Sequence, residues 1–496
     1  MDRDDTPPQT LLSPRQVLLA FFPSIVLPMF LAAIDQTIIS TALPAIAGEL
    51  GDVGRLSWVI VAYLIAATIA TPIYGRLGDA LGRRRMMYVA LGFFLVASAL
   101  CAAAGSILAL SAARVLQGLG GGGLMALSQA LIGENVPARE RGRYQGYLAT
   151  VFVGAAAIGP VAGGFLTQHF GWQSVFLVNL PLGAAAFVLL LRLPGGSGGD
   201  GRVAFDYAGT VLFILAVIPL LLALEQAQAL SVARLPAIGL LLAITCIAGV
   251  LLVRQERRAA APLLPLKLLR EPTIWRACLL GACIGGIIVP LVSFTPIYMQ
   301  VVRGLSPSET GLLLLPLTAG IPIGSMITGQ FVTRTGRGPI FPSVGQPAVV
   351  VLLLVLAFLL GSLTLRPLVV LLAAISLCTG TGMVVVQTLT QIVAGPRHLG
   401  AIAASVQLAR ALGASFGTAL VSAVLFGAIA LHDGALAGLF AELLQNGQAL
   451  LAGLGEARAA EVRAALGGAF RAAYVTMAAI AAVGAVMAWT IPRRRF

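Results

Sequence analysis

The chain has 496 residues, of which 58% are hydrophobic and only 10% are charged. Soluble proteins carry roughly 25% charged residues, so this chain has too few polar side chains to cover a water-facing surface, which excludes a soluble enzyme and equally a disordered or fibrous protein. The net charge of +13 would suggest nucleic-acid binding in a soluble protein, but here the basic residues lie in short runs between apolar stretches, which is typical of membrane topology.

Fourteen apolar segments are long enough to span a bilayer, which takes about 20 helical residues. The first six cover approximately Val17–Leu43, Ser57–Tyr74, Met86–Ala104, Ile107–Gly133, Tyr144–Leu166 and Val175–Leu191. Two more lie between polar linkers, at Tyr207–Leu224 and Leu235–Val253. The last six cover Ile274–Met299, Thr310–Val332, Gln346–Leu365, Leu368–Val393, Ile402–Leu431 and Ala472–Ile491. Because the acidic Met1–Thr10 lacks the features of a signal peptide, we expect the first segment to be retained as a spanning helix.

The Lys and Arg residues test this helix count. With the N-terminus in the cytoplasm, 23 of them fall inside, seven fall outside, and two, Arg114 and Arg410, lie within helices. This asymmetry follows the positive-inside rule and predicts an even number of helices with both termini cytoplasmic. The stretch His432–Arg471 is then an outside loop. Its helix-like spacing in Ala435–Leu444 and Glu456–Leu466 predicts either an amphipathic element near the headgroups or a plain helical connector.

A short motif occurs twice in the chain. Gly75-Arg-Leu-Gly-Asp-Ala-Leu-Gly82-Arg83 follows the second helix, and Gly329-Gln-Phe-Val-Thr-Arg-Thr-Gly336-Arg337 follows the second of the last six. Repeated halves are common in secondary transporters. We therefore predict an N-terminal six-helix bundle at 1–206, two inserted helices with a cytoplasmic linker at 207–273, and a C-terminal six-helix bundle at 274–496 that includes the extracellular loop 432–471.

No common catalytic or ATP-binding motif is complete. The run Gly118–Gly123 lacks the Gly-Lys-Ser/Thr of a phosphate loop and lies in a predicted spanning helix. The five cysteines and three histidines show no metal-ligand spacing, and no nucleophile elbow occurs. We therefore expect no enzymatic activity, no metal and no cofactor. A transporter driven by an ion gradient, or a passive carrier, remains.

Two charged residues lie within predicted spanning helices of the N-terminal half. A carboxylate at bilayer depth, such as Asp35, is costly and marks a functional site. Burial favours its protonated form, so we expect Asp35 to bind and release a proton; the alternative is a carboxyl that hydrogen-bonds neighbouring helices. Arg114 keeps its proton and must face a carboxylate, a carbonyl or water, either to tune the proton site or as a structural donor.

Two glycine-containing segments suggest conformational roles. Gly75–Arg85 is predicted to be a tight inside loop, in which Gly78 and Gly82 allow close backbone approach and Asp79 caps a helix or pairs with Arg83. Such a loop can latch the two halves in one conformation besides fixing topology. The fifth helix contains Pro160, which can bend it into a pivot, together with glycines that can equally serve close helix packing, namely Gly154, Gly159, Gly163 and Gly164.

Together these residues resemble the major facilitator superfamily, and specifically its fourteen-helix drug:proton antiporter family. The segment Gly75–Arg85 resembles the superfamily's signature loop, Arg114-Val-Leu-Gln117-Gly118 its fourth-helix motif, and Gly154–Gly164 the antiporter motif. Asp35-Gln-Thr37 with Ala42-Leu43-Pro44 resembles the first-helix motif, apart from Ile34 before the acid. Trp172, Phe176, Asn179, Pro181 and Gly183 resemble the family's sixth-helix region.

The resemblance implies an all-α membrane protein with the major facilitator fold, two six-helix bundles plus two inserted helices, in which proton influx drives export by alternating access. Asp35 would be the proton-linked acid and Arg114 its modulator. The conformational latch would comprise Gly75, Gly78, Asp79, Gly82 and Arg83, and the antiporter hinge would centre on Gly159 and Pro160.

Two departures from the family's pattern bear on the latch and on the substrate. Thr333 replaces the acid in the second copy of the motif, which predicts an asymmetric latch. The last six helices contain no clear mid-membrane acid, since Glu309 lies at an end. This disfavours divalent organic cations as substrates and leaves monovalent cationic, neutral and amphipathic compounds.

The predicted function is therefore multidrug efflux of the kind linked to antibiotic resistance: a proton-coupled exporter of hydrophobic or amphipathic small molecules in the plasma membrane. We expect it to be a monomer in contact with lipid, without a nucleic-acid partner. The alternatives are a dedicated exporter of one metabolite, lipid or antibiotic, an uptake symporter, and a non-transporting sensor or scaffold, which the lack of a soluble output domain disfavours.

Overall fold

The structure is a computed structural model that describes residues 21–51, 55–137, 140–191, 206–227, 234–259, 262–432, 439–440, 443 and 456–492. Within these ranges it is helical and contains no strand. Thirteen helices are long and apolar enough to cross a membrane, and a shorter apolar stretch at Ser174–Leu190 makes a fourteenth segment. The chain is thus a multi-pass membrane protein with the architecture predicted from its hydrophobic segments.

The helices follow one another along the chain with short connections. The first half contains α1 (Phe22–Leu50), α2 (Trp58–Leu81), α3 (Arg83–Ala102), α4 (Ile107–Asn135), α5 (Arg141–Phe170), α6 (Ser174–Leu177) and α7 (Asn179–Leu190). Between the halves lie α8 (Tyr207–Ala227), α9 (Leu235–Arg258) and α10 (Leu266–Leu269). The second half contains α11 (Pro272–Ile297), α12 (Pro307–Thr335), α13 (Ile340–Leu359), α14 (Leu365–Ala394), α15 (Leu399–His432) and α16 (Glu456–Thr490), with a π turn at Tyr298–Val302 and a 3₁₀ turn at Pro396–His398.

The prediction of a loop over Gly75–Arg85 is wrong. Helix α2 continues to Leu81 and α3 begins at Arg83, so Gly82 alone separates them. Gly82 has φ +94°, and Gly336, at the aligned position of the second motif, ends α12 with φ +66°. Because glycine adopts positive φ without steric cost, one residue is enough to redirect the chain, and no longer loop is needed.

The predicted outside element within His432–Arg471 is only partly described. Glu456–Leu466 is the start of α16 and runs on into the spanning helix, so this part is not a separate element lying along the headgroups. Of Ala435–Leu444, residues 439, 440 and 443 are described, and Phe440 and Leu443 are buried in the C-terminal core. The rest of that segment, the N-terminal residues 1–20 and the boundary region 192–205 lie outside the described residues.

Each half has apolar cores of its own, and the inserted helices lie beside the junction of the halves. One further cluster joins Phe213 of α8 to Ile69 of α2 and Leu408 of α15. Helix α9 packs on α8 and buries few of its own side chains. The inserted pair therefore covers the seam on one side, with α9 outermost.

The two halves meet at two helix crossings near Gly82, at the end of the molecule that we call the Gly82 end. At the first crossing, α2 meets α15: a Cβ added to Gly75 would lie 2.6 Å from the Gly400 carbonyl oxygen. At the second, α5 meets α12: a Cβ added to Gly142 would lie 3.2 Å from the Gly329 carbonyl oxygen. The aligned glycines of the repeated motif, Gly75 and Gly329, thus make equivalent contacts, and the molecule is closed at this end.

Candidate functional site

A buried ion pair joins α1 to α4 inside the N-terminal half. Asp35 and Arg114 are each only 1% exposed, and Arg114 Nη1 donates to Asp35 Oδ2 at 2.5 Å. The guanidinium also donates to the Val59 carbonyl at 3.0 Å and to Gln117 Oε1 at 2.7 Å. Its carbon lies 4.2 Å from the centre of the Tyr63 ring. The structure therefore brings together the two embedded charges that the sequence singled out.

The other oxygen of Asp35 accepts from amide side chains. Gln117 Nε2 and Asn179 Nδ2 each lie 2.9 Å from Asp35 Oδ1. Both amides also donate to Ser98 Oγ, at 2.8 and 3.3 Å. These side chains come from α3, α4 and α7, so with Asp35 of α1 four helices contribute to one hydrogen-bond network. An isolated buried charge would be strongly unfavourable, and this set of donors offsets much of that cost.

The glycine run of α4 explains how these helices come so close. A Cβ added to Gly118 would lie 2.5 Å from the Tyr63 carbonyl oxygen, and one added to Gly123 would lie 2.8 Å from the Tyr74 ring. Helices approach this closely only through small residues. The run therefore sets α4 against α2, which places Arg114 beside Tyr63 and the Val59 carbonyl.

Asp79 and Arg83 lie in the contact between the two halves. Asp79 Oδ1 accepts from the Gly400 amide and Oδ2 from the Ala401 amide, both at 2.9 Å. These are the first free N–H groups of α15, where the helix dipole favours a negative charge. Arg83 binds Asp79 at 2.5 Å and Glu134 at 2.8 Å. One carboxylate of the N-terminal half thus caps a helix of the C-terminal half.

The remaining predicted latch residues have packing and turn roles. Gly75 forms the α2–α15 crossing, a Cβ on Gly78 would lie 2.6 Å from Leu127, and Gly82 makes the turn. At the position aligned with Asp79, the Thr333 hydroxyl donates to a carbonyl one turn earlier in its own helix. The two copies of the motif therefore differ chemically.

The predicted hinge residues lie in α5 and divide into two groups. A Cβ added to Gly159 or Gly163 would collide with α1, so these two glycines permit close packing of α5 on α1. Gly164 has open space around it, and Gly154 has a single distant neighbour. Pro160 lies inside the helix on its exposed side. A pivot at Pro160 stays a prediction.

A cavity of about 340 Å³ lies between the two halves, beyond the crossings at the Gly82 end. This volume is within the range of small-molecule sites. Its walls come from α1, α2, α4 and α5 on one side and α11 and α15 on the other, and Gln36, the neighbour of Asp35, lines it. A second cavity of about 30 Å³ adjoins it and shares Phe152, Gln407 and Arg410. Among the described lining residues of both cavities, Arg410 is the only ionisable one.

Sequence reasoning missed several members of these sites. It assigned no role to Ser98, Gln117 or Asn179 around Asp35, although the latter two lie in segments that carry the family resemblance. It located Arg410 within a helix and gave it no function. The available signal was a polar side chain inside an apolar segment, but that pattern does not indicate which residues meet in space.

Comparisons with known proteins agree with this architecture. A model described as Major Facilitator Superfamily matches residues 25–418. An uncharacterized MFS-type transporter of Mycobacterium tuberculosis is 34% identical over 422 residues, which cover 84% of this chain and 60% of the relative. The multidrug transporter protein MdtP of Bacillus subtilis is 32% identical over 417 residues, covering 81% of this chain and 74% of MdtP.

This chain therefore spans only about 60% of the length of the mycobacterial relative. Among solved structures, the human organic anion transporter MFSD10 (TETRAN) aligns with a TM-score of 0.63 over 97% of this chain and 100% of that chain. At 17% sequence identity, this likeness shows the fold alone.

Proposed function

The chain belongs to the major facilitator superfamily, and from this membership we propose that it is a proton-coupled antiporter that exports hydrophobic or amphipathic small molecules across the plasma membrane. Relatives with the names of multidrug transporters support this class of cargo. In the proposed orientation both termini and the Gly82 end face the cytoplasm, as the distribution of Lys and Arg indicates. The structure is then the state closed to the cytoplasm.

The buried pair of Asp35 and Arg114 is the observation that supports proton coupling. Protonation of Asp35 would cancel its charge and weaken its attraction to Arg114. The guanidinium would keep its bonds to the Val59 carbonyl and to Gln117, so it would not become a buried cation without acceptors. Loss of the Asp35 charge would therefore not leave Arg114 without acceptors, as disruption of an isolated buried ion pair would leave its remaining charge.

The same site links proton binding to helix arrangement and to the cavity. Asp35 receives donors from α4 and α7, so its protonation alters contacts among three helices. Its neighbour Gln36 lines the cavity between the halves. In the proposed cycle a proton from outside neutralises Asp35 as substrate leaves, and the proton is released inside as the next substrate binds.

Opening to the cytoplasm requires the Gly82 end to separate. Asp79 would then leave the amides of Gly400 and Ala401, and Gly75 would move away from Gly400. The contacts of Arg83 with Asp79 and Glu134 lie within the N-terminal half and can persist. The latch is thus a small set of bonds that rigid-body rocking of the halves can break and remake.

Efflux driven by a pH gradient from reconstituted vesicles tests this function. Asp35→Asn retains the size of the side chain and removes the titrating group, so we expect insertion into the membrane to persist and gradient-driven efflux to be lost. Glu461→Gln, which removes an exposed acid on α16, is the matched control and should transport like the wild type. Wild-type efflux by Asp35→Asn would reject the proposal, and gradient-driven accumulation in the opposite direction would indicate uptake.

A further inference from the structure

Among the residues that the structure describes, the cavity between the halves contains one cation, Arg410, that forms no ion pair. Arg410 of α15 is partly buried and lines both adjoining cavities. Its polar contact is Met383 Sδ at 4.0 Å, and its guanidinium carbon lies 5.7 Å from the centre of the Phe152 ring. A thioether and a ring face are weak acceptors for a guanidinium. Within the described ranges no carboxylate forms an ion pair with it.

Amide side chains with unused hydrogen-bonding groups line the smaller of the two adjoining cavities. Gln145 of α5 and Gln387 of α14 line the smaller cavity with Arg410. They are only 5% and 7% exposed, and the Nε2 atom of each has no hydrogen-bond partner among the described residues. Buried polar groups in folded proteins are nearly always satisfied, so each orphan requires an explanation. Amide donors beside a guanidinium fit an acceptor with negative charge.

The described part of the N-terminal half does not supply a charge that would balance Arg410 either. Asp35, the buried acid of α1, is already bound to Arg114 and to two amides. The other described residues that line the cavities are apolar or carry neutral polar groups. The site therefore combines one cationic centre with amide donors and apolar walls such as Phe152, Ile288 and Val289.

We propose that this cavity binds an amphipathic organic anion, a molecule with one negatively charged headgroup and an apolar body, and that the headgroup binds Arg410 with the amides of Gln145 and Gln387. Gln145 belongs to the N-terminal half and the other two residues to the C-terminal half. A bound headgroup thus connects both halves at the seam that opens and closes. This inference rests on the proposed function, because it takes the cavity as the transport site and narrows its cargo.

Three dansyl probes that differ in charge test this specificity. Dansylglycine carries a carboxylate, dansylglycine amide is neutral, and dansylcadaverine carries an ammonium group, while all three share the same apolar fluorophore. Their fluorescence is titrated with the purified full chain in detergent at neutral pH. We expect the dissociation constant of dansylglycine to be at least about tenfold lower than those of the other two, as a charge-assisted bond implies.

Variants at Arg410 assign the preference to its charge. Arg410→Gln should weaken dansylglycine binding by about tenfold or more and leave the binding of dansylglycine amide unchanged. Arg410→Lys should keep the preference for dansylglycine. Arg463→Gln, which removes an exposed arginine of α16, controls for net charge and should bind all three probes like the wild type. Should Arg410→Gln fail to fold, Gln387→Leu should weaken the binding of dansylglycine by several-fold and leave that of the other two probes unchanged.

Three results would overturn the inference: equal or tighter binding of the neutral or cationic probe, unchanged dansylglycine binding by Arg410→Gln, or no binding of dansylglycine. The proposed function fails separately. Proton-coupled export of dansylcadaverine without anion preference would support the antiporter and reject the anion site. Anion preference without any coupling to a pH gradient would support the anion site and reject the antiporter.

Discussion

At the scale of single residues, the chemistry of this protein centres on Asp35 and on how completely its neighbours satisfy it. Both of its oxygens accept hydrogen bonds, and Arg114 has acceptors besides Asp35. These donors satisfy the carboxylate of Asp35 in the closed structure. In the proposed function, uptake of a proton would change these partners, as a coupling site requires.

The ion pair between Asp35 and Arg114 predicts that substitutions of the two residues have non-additive effects on the free energy of unfolding. Arg114→Gln leaves Asp35 without its cation, so we expect the free energy of unfolding to fall by about 3–5 kcal/mol. Adding Asp35→Asn to this variant removes the unpaired charge and should restore part of that loss. Thermal unfolding of Arg114→Gln, Asp35→Asn and the double variant in detergent, compared with the wild type, completes a double-mutant cycle. Purely additive losses would show that the two side chains are not coupled.

The residue scale is also where sequence reasoning reached its limit. Asp35 and Arg114 could be identified because a charge inside an apolar segment is visible in the sequence. Asn179, which binds Asp35 from 144 positions away, and Arg410, which faces amides from other helices, acquire their roles only when the helices assemble. Spacing along one helix cannot report such contacts.

At the scale of helices, glycines determine where the two halves touch. The hydrophobic length of each segment predicted the helices well, since length and apolar content decide which segments span a bilayer. The sequence does not predict the continuation of α2 through Gly75 to Leu81, because a Gly-rich basic segment is typical of a loop. In the helix, Gly75 presents a flat surface to Gly400, and Asp79 lies one turn further on.

This crossing predicts a conformational effect of a single methyl group. Gly75→Ala would place a Cβ 2.6 Å from the Gly400 carbonyl oxygen and so disfavour the state closed at the Gly82 end. We expect spin labels at the C-terminal end of α2 and the N-terminal end of α15 to show a larger population of long distances in double electron–electron resonance. Gly92→Ala in α3, where a Cβ meets nothing within 4 Å, should leave the distances unchanged. An unaltered distribution in Gly75→Ala would mean that the crossing does not control closure.

The charge of Asp79 makes a separate contribution to the same equilibrium. Asp79→Asn keeps a hydrogen-bond acceptor but removes the negative charge from the N-terminus of α15, which costs about 0.3–2 kcal/mol. We expect the open population to rise, because the closed state loses this attraction between a charge and a helix dipole. The same spin-label pair measures the shift. A closed population equal to that of the wild type would limit Asp79 to a role within the N-terminal half.

At the scale of the whole molecule, the two proposed charged centres lie in different halves. The proposed proton site around Asp35 lies in the N-terminal half, and Arg410, the cation that lines the cavity, lies in the C-terminal half. The aligned motifs give the two halves similar crossings at the Gly82 end, but only the first copy carries a carboxylate. The repeat could be predicted from sequence, whereas the different contacts of Asp79 and Thr333 became clear only from the structure.

This division predicts a dependence of transport on the membrane potential. If one proton enters for each monoanion that leaves, two elementary charges move in the same electrical direction, and only one moves for a neutral substrate. A potential of 100 mV contributes about 2.3 kcal/mol per charge, so it should drive anion export more strongly than export of the neutral probe. Vesicles with imposed potassium diffusion potentials and no pH gradient measure this difference. Equal responses for dansylglycine and its amide would contradict the prediction.

The proposed exchange of a proton for substrate depends on a change in the protonation of Asp35, which can be measured directly. Infrared difference spectra of the reconstituted protein between acidic and alkaline pH report the C=O stretch of protonated carboxyl groups. We predict a band in the wild type that is absent in Asp35→Asn, retained in Glu461→Gln, and reduced in the wild type when substrate binds. The same spectrum in the wild type and in Asp35→Asn would show that Asp35 keeps one protonation state throughout the working range, and the exchange of proton for substrate at this site would be contradicted.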